Sequence, residues 1–324
     1  MSWRVVAVAL VLLLADGLAG CAAPPTPDAQ RMPPASAASG TTPAAAWWHG
    51  AGDALLSRLI DASLARDKRL QHKAAALAQL RERARHWQTR VLDAWLGAYA
   101  GAPRKAIDNA ALRLDRARQR KAAEIAQTYI ELRRLQAVLS LRRAFDARFR
   151  DDAQIARWRR QAGLVSAVDE GLGATLVAIN ADALDTTESR LAATRATLLR
   201  QAGGGSELER QLGAAAPIPE LAAGAAGAAP ARDRTAMAAA AAHELALRSI
   251  ERAAARTAAD ASTAYRLGSG DFAAVYVAQA AWLDVREAEI DARVERARAA
   301  VRLSTAAGLA AVERAAGAGE RKGE

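Results

Sequence analysis

The residues able to do chemistry in this chain are few, and the first is a thiol. Cys21 is the only cysteine among 324 residues. It follows Leu18, Ala19 and Gly20, which close an apolar run at residues 5–14 preceded by Arg4. A positive residue, a short apolar run and small residues in that order form a secretory signal with its cleavage site, so the thiol is expected at the start of the processed chain. A lone thiol excludes internal disulfides and cysteine-based metal sites. Other chemistry is hard to assemble. His49, His72, His86 and His243 are scattered, and none has a second histidine or a carboxylate at the spacing of H-E-x-x-H. Gly203, Gly204, Gly205 and Ser206 lack the lysine of a phosphate loop and suit a helix stop. No G-x-S-x-G elbow occurs. The chain is therefore expected not to be an enzyme, with no catalytic residue, no metal site and no cofactor.

The order Leu18-Ala19-Gly20-Cys21 resembles the lipobox of bacterial lipoproteins, in which the cysteine becomes the lipidated first residue. Ten apolar residues are too few to span about 30 Å of hydrocarbon as a helix, so the run is not a transmembrane anchor. Under that resemblance Cys21 is the lipidation site, and Ala22, rather than an aspartate, favours the outer membrane.

The composition calls for long helices. Aromatic residues make up 4% and charged residues 25%, with Ala, Leu and Arg prominent. The net charge of +10 would suggest nucleic acid in a cytosolic protein, but a secreted chain makes that partner a poor expectation. Many basic residues are interleaved with acidic ones, as in a solvated helix face. Attraction to anionic lipid headgroups or the cell wall is the remaining reading of the excess.

Residues 1–20 are read as signal peptide and 21–46 as a lipidated, disordered Pro- and Ala-rich tether. A first helical repeat spans 47–202, a flexible linker 203–234, a second repeat 235–315 and a disordered tail 316–324. Within the first repeat a helix begins near Asp53 and carries one apolar stripe from Leu55 to Leu80. Gly97, Gly101 and Pro103 interrupt, and helix resumes from 106 to about 160, roughly 80 Å at 1.5 Å per residue. Ile125, Leu132 and Leu139 recur every seven residues in it, as Leu283, Ile290 and Ala297 do in the last helix, which is the seam of a coiled coil. Reversals are expected at Gly163 and at Gly268, and an offset of 105 residues superposes them together with their flanking helices. The fold class is thus all-α: two internal repeats, each a long antiparallel coiled-coil hairpin, with both reversals at the same end.

Three segments carry a family resemblance. Ile125 to Gln136 holds a Tyr, a Leu-Arg and a Gln, residues 162–169 read A-G-L-V-S-A-V-D, and residues 265–272 read Y-R-L-G-S-G-D-F and continue to Ala278-Gln279. Together they resemble the TolC-type outer-membrane efflux proteins, particularly the lipoprotein branch. The resemblance implies a TolC-like α-barrel protomer, assembly as a homotrimer, an outer-membrane location with the body in the periplasm, and partners comprising a periplasmic adaptor and an inner-membrane pump. It further implies that Gly163, Leu164, Val165, Ser166, Asp169, Leu267, Gly268, Ser269 and Asp271 form adaptor-docking turns. Two departures stand out. Family members insert a strand hairpin for the membrane barrel in each repeat, but residues 95–103 are too few for two strands, and 235–264 read as Ala-rich helix. Ala274 stands where the second turn would repeat Asp169. The function implied is that of an efflux component of a tripartite export system, and the alternative is a non-conducting periplasmic scaffold or regulatory lipoprotein.

Overall fold

The computed structural model describes residues 46–88, 101–221 and 231–321, which belong to a unit running from Thr41 to Glu324. The expected signal, Cys21, nearly all of the tether, residues 95–100 of the first shortened insertion and the last residues of the tail lie outside the described residues. Among the described residues a 3-10 turn at Trp47–Gly50 is followed by seven helices in order: α1 (Ala54–Arg66), α2 (Lys68–Gln88), α3 (Gly101–Gln161), α4 (Ala167–Ala202), α5 (Ser206–Gly213), α6 (Ala231–Leu267) and α7 (Phe272–Arg321). No strand occurs among the described residues.

The axis of this unit is α3, whose 61 residues extend about 90 Å. Helix α4 folds back along it, α7 runs antiparallel on another flank, and α6 packs on α7. The register of α3 on α7 is visible in ion pairs that climb the interface: Arg142 with Glu287 at 2.6 Å, Arg134 with Asp291 at 2.6 Å, Arg298 with Glu131 at 2.9 Å and Arg116 with Glu313 at 2.6 Å. Half-exposed pairs of this kind each add at most about 1 kcal/mol, so they set register while apolar burial holds the helices together. The heptad residues Ile125, Leu132, Leu139, Leu283, Ile290 and Ala297 are all buried. Ile125, Leu132, Leu139 and Ala297 share one cluster with Leu56, Leu59 and Ile60 of α1, and Leu283 and Ile290 share another with Phe145 and Phe149.

Three local departures from the sequence reading have plain causes. The single helix expected after Asp53 is two helices. Asp67 adopts an extended backbone (φ −68°, ψ 108°), and its carboxylate accepts from the amides of Arg69 and Leu70 at 2.9 and 3.0 Å, ending α1 and starting α2. The apolar stripe is split accordingly, with Leu56, Leu59 and Ile60 entering the main core, whereas Leu70 and Leu77 pack with Leu114 in a separate cluster. Helix α3 begins at Gly101 and includes Pro103, because a proline in the first turn forfeits an amide with no intrahelical partner. The segment 203–234, expected as flexible linker, contains α5, whose Leu212 is fully buried against the core and whose first turn carries Glu207 and Glu209 where the helix dipole favours acids.

The motif residues of α3 hold this linker and α1 in place. Tyr129 Oη donates to Asp53 Oδ2 at 2.8 Å, while Asp53 Oδ1 caps α1 by accepting from Leu55 and Leu56, each at 2.9 Å. Burial is the main reason the Tyr129 hydroxyl is pushed up to about 12. Arg133, almost wholly buried, donates to Tyr129 Oη at 3.1 Å, Gln136 Oε1 at 2.7 Å and the Ala214 carbonyl at 2.8 Å. Gln136 Nε2 donates to the Leu212 carbonyl at 2.9 Å.

Candidate functional site

The two reversals share one construction. At the first, Gly163 takes φ +72°, its amide donates to the Arg160 carbonyl at 3.0 Å, and the Leu164 amide donates to the Arg159 carbonyl at 2.8 Å. At the second, Gly268 takes φ +84°, its amide donates to Tyr265 at 3.1 Å, and the Ser269 amide donates to Ala264 at 3.0 Å. This is the Schellman arrangement, which satisfies the last carbonyls of a helix through a left-handed residue that only glycine adopts without strain. Three residues beyond each glycine stands the cap of the next helix. Ser166 Oγ accepts from Val168 and Asp169 at 3.2 and 3.4 Å, and Asp271 Oδ1 accepts from Ala274 at 2.8 Å. The duplicated element is therefore glycine followed by a cap three residues later. Asp271 fills the place of Ser166, while Ala274 stands in the place of Asp169.

The turns lie side by side at one end of the helices, as the repeat implied. Arg159, at the end of α3, donates to the Tyr265 carbonyl and stacks its guanidinium 4.6 Å from the Tyr265 ring centre. Arg266, at the end of α6, reaches Asp151 at 2.8 Å and Asp152 at 3.3 Å on α3. Asp152 also accepts from Gln279 of α7, which donates in addition to Ser262 Oγ at 3.2 Å. Burial raises the Asp152 carboxyl above the ordinary aspartate range, with Arg266 pulling the other way. Beneath these groups Ala156, Tyr265, Phe272 and Val275 form an apolar plug, with the Tyr265 and Phe272 rings edge to face at 5.3 Å. At Gly173 the helices α3 and α4 approach so closely that a Cβ would stand 3.0 Å from the Ala153 Cα.

Of the nine residues expected at the turns, Gly163, Leu164, Ser166, Leu267, Gly268, Ser269 and Asp271 are exposed. Val165 and Asp169 are half-buried, and Val165 packs on the apolar plug. The end face also carries large apolar side chains open to solvent: Leu164 at 68%, Val168 at 67% and Leu267 at 80% exposure. A Schellman turn ordinarily buries the residue after its glycine against the preceding helix. Leu164 is not so buried, because the residue five before it is Arg159, which is engaged with the second turn. The residues that join the turns, Arg159, Arg266, Asp152 and Gln279, were not singled out in the sequence as a bridge. Arg266 and Gln279 belong to the third motif and an arginine stands within five residues before each turn glycine, but neither feature marks the contact between the turns.

Among the described residues no group of three His, Cys, Asp or Glu side chains could hold a metal ion, and no helix is long and apolar enough to cross a membrane. The cleft between α3, α4 and α5, about 480 Å³, is lined by Gln136, Ser140, Arg143, Glu188 and Arg195 among apolar residues, and Glu188 is engaged by Arg143 at 2.6 Å.

No protein-family model and no curated protein matches the sequence. Solved structures do match. The outer-membrane channel OprN superposes with a TM-score of 0.65 at 13% identity, over 82% of this chain and 92% of that one. The outer membrane protein VceC from Vibrio cholerae gives 0.63 at 14% identity, over 82% and 98%. CusC, whose structures concern transmembrane channel formation, gives 0.60 at 12% identity, over 80% and 93%. At these identities the likeness establishes the fold: the chain has the helical architecture of the TolC-type outer-membrane channels. These matches are outer-membrane channel and membrane proteins.

Proposed function

We propose that this chain is a lipid-anchored component of a tripartite efflux system, tethered to the outer membrane through Cys21, with its helical body in the periplasm. In this reading the body assembles as a trimer, and its paired turns receive the hairpin tip of a periplasmic adaptor linked to an inner-membrane pump, for export of small molecules. The observation that carries the reading is the end face itself. Two reversals of identical construction are locked together by Arg159 and Arg266, and they present glycine, serine and exposed leucine where a helical tip could pack closely. The channel fold supports it independently.

The test is crosslinking. Leu164→Glu and Ser269→Glu leave the turn backbone intact while obstructing a partner, so crosslinking to a co-expressed adaptor should fall with helicity unchanged. Absence of any adaptor contact in the unsubstituted protein refutes docking. Separately, Cys21→Ser should release the protein from membranes into the soluble fraction.

A second reading rests on α6. It is continuously helical from Ala231 to Leu267, across the stretch where the second membrane hairpin of a channel would be inserted. A closed β-barrel is the only sheet that satisfies its backbone within lipid. A chain lacking those strands would serve as a non-conducting periplasmic scaffold or regulator. Single-channel conductance of the purified protein in planar bilayers separates the two, since stepwise conductance refutes the scaffold and its absence refutes the channel.

A further inference from the structure

The charge of the chain is concentrated at the end opposite the paired turns. Helix α2 and residues 101–121 of α3 together hold thirteen Lys and Arg against three Asp and Glu, an excess of ten. That equals the net charge of the whole chain, so the remaining residues are neutral in sum, with 32 of each sign. These two segments pack antiparallel as an arm, joined through Leu70 and Leu77 of α2 and Leu114 of α3. On the outside, Lys68, Arg69, Lys73, Arg81 and Arg83 are exposed and form no ion pair among the described residues, as is true of Arg104, Lys105, Arg113 and Arg120, four of the seven cations in residues 101–121 of α3. At the root of the arm a cleft of about 680 Å³ brings Lys68, Arg69, Lys73, Arg120 and Lys121 together. Its two acids are already engaged: Asp67 caps α2, and Glu124 pairs with Lys121 at 2.9 Å.

Most of this charge has no carboxylate partner and repels itself across the arm. Charge of one sign gathered on one surface raises the local concentration of opposite charge there and attracts an anionic surface. The arm is also within reach of a bilayer. Tyr129, which touches Asp53 next to the start of the folded body, stands 28 residues along α3 from Gly101, about 42 Å. The 25 residues between Cys21 and Trp47 can extend about 85 Å.

We infer that the α2–α3 arm is a membrane-contacting element that binds the anionic phosphate headgroups of a lipid bilayer, orienting the body with its paired turns pointing away from that surface. This rests on the lipid-anchor reading for which membrane is contacted, but not for the affinity of the arm.

The experiment uses the full chain carrying Cys21→Ser, so that no lipid contributes, and measures sedimentation with vesicles of phosphatidylcholine alone or with about 30% phosphatidylglycerol. A cation near such a surface is worth about fivefold in binding. Binding is expected on the anionic vesicles alone, lost near 0.5 M salt as the Debye length contracts to about 4 Å, and about 100-fold weaker in Lys73→Gln/Arg81→Gln/Arg83→Gln. The same charge removed remotely, by Arg160→Gln/Arg252→Gln/Arg256→Gln, should leave binding nearly unchanged. Equal binding to neutral vesicles, an equal loss in the remote variant, displacement by millimolar inorganic phosphate, or sedimentation with cell-wall sacculi but not with vesicles each overturns the inference. Should the arm variant lose helicity, the salt dependence of the Cys21→Ser chain decides alone, because salt-insensitive binding is incompatible with it. Membrane fractionation of the chain with Cys21 intact tests the anchor separately, so failure of one reading is distinguishable from failure of the other.

Discussion

Arg133 and Arg134 are neighbours in sequence and identical in type, yet their replacement should have very different consequences. Arg133 is almost wholly buried and donates three hydrogen bonds, to Tyr129 Oη, Gln136 Oε1 and the Ala214 carbonyl, at 3.1, 2.7 and 2.8 Å. It has no ion-pair partner among the described residues, so its charge is held by neutral acceptors. Each such charge-assisted bond is worth about 1.5–3 kcal/mol. Burying the guanidinium without a carboxylate offsets several kcal/mol of that gain. Arg133→Met removes both and strands Gln136 Oε1, while the Ala214 carbonyl keeps the longer 3.3 Å bond from Gln136 Nε2. The net loss should be about 2–4 kcal/mol, or about 5–12 °C in Tm for a folded body of this size. Arg134 instead makes a half-exposed pair with Asp291 at 2.6 Å, and Arg134→Met should cost about 1 kcal/mol or less. Thermal unfolding followed by circular dichroism at the helical band measures both. Limited proteolysis should show residues 214–221 cleaved sooner in Arg133→Met only, because Arg133 ties the end of α5 to α3. Equal shifts in the two variants, or a shift below about 2 °C in Arg133→Met, would refute the assignment of the buried arginine as the clasp of the linker.

Tyr129 should titrate near 12. Because its folded pKa lies above the ordinary value of 10, its contribution to stability is intact below pH 10 and is lost as pH rises toward 12, which ultraviolet titration of wild type against Tyr129→Phe checks. The Asp152 carboxyl is likewise raised, so the junction between the turns should be most protected at acidic pH and lose protection as pH rises through that pKa; Asp152→Asn should flatten this trend in hydrogen exchange at the end of α3. Gly163→Ala and Gly268→Ala each meet open space or ordinary contact but force a left-handed residue, at a cost of about 1 kcal/mol confined to the turns, to be read as faster local exchange. Gly173→Val should overpack the α3–α4 contact against Ala153 and cost about 1–3 kcal/mol in thermal unfolding, with Gly171→Val, which meets nothing within 4 Å, as the milder control.

By itself the sequence determined the helical class, the duplicated hairpins and the position of both reversals. Each depends on local rules: a seven-residue apolar period, a glycine free to take positive φ, and a charged face for solvent. It also carried the residues of the α3 motif, Tyr129, Arg133 and Gln136, without revealing that they clasp α1 and α5, because the distance along the chain from Tyr129 to Asp53 or from Arg133 to Ala214 says nothing of proximity in space. The break at Asp67 was hidden because a continuous apolar stripe and a capping aspartate compete, and the packing of Leu70 and Leu77 on Leu114 decides between them. The bridge of Arg159, Arg266, Asp152 and Gln279 joins three helices and exists only once the two hairpins are side by side. The excess charge was countable from the start, but its meaning was not. Folding gathers the cations of α2 and of residues 101–121 onto one arm and sets others, such as Arg134, Arg142, Arg266 and Arg298, against carboxylates across α3, α6 and α7, and a charge is felt by its neighbours within about 10 Å in space rather than along the chain.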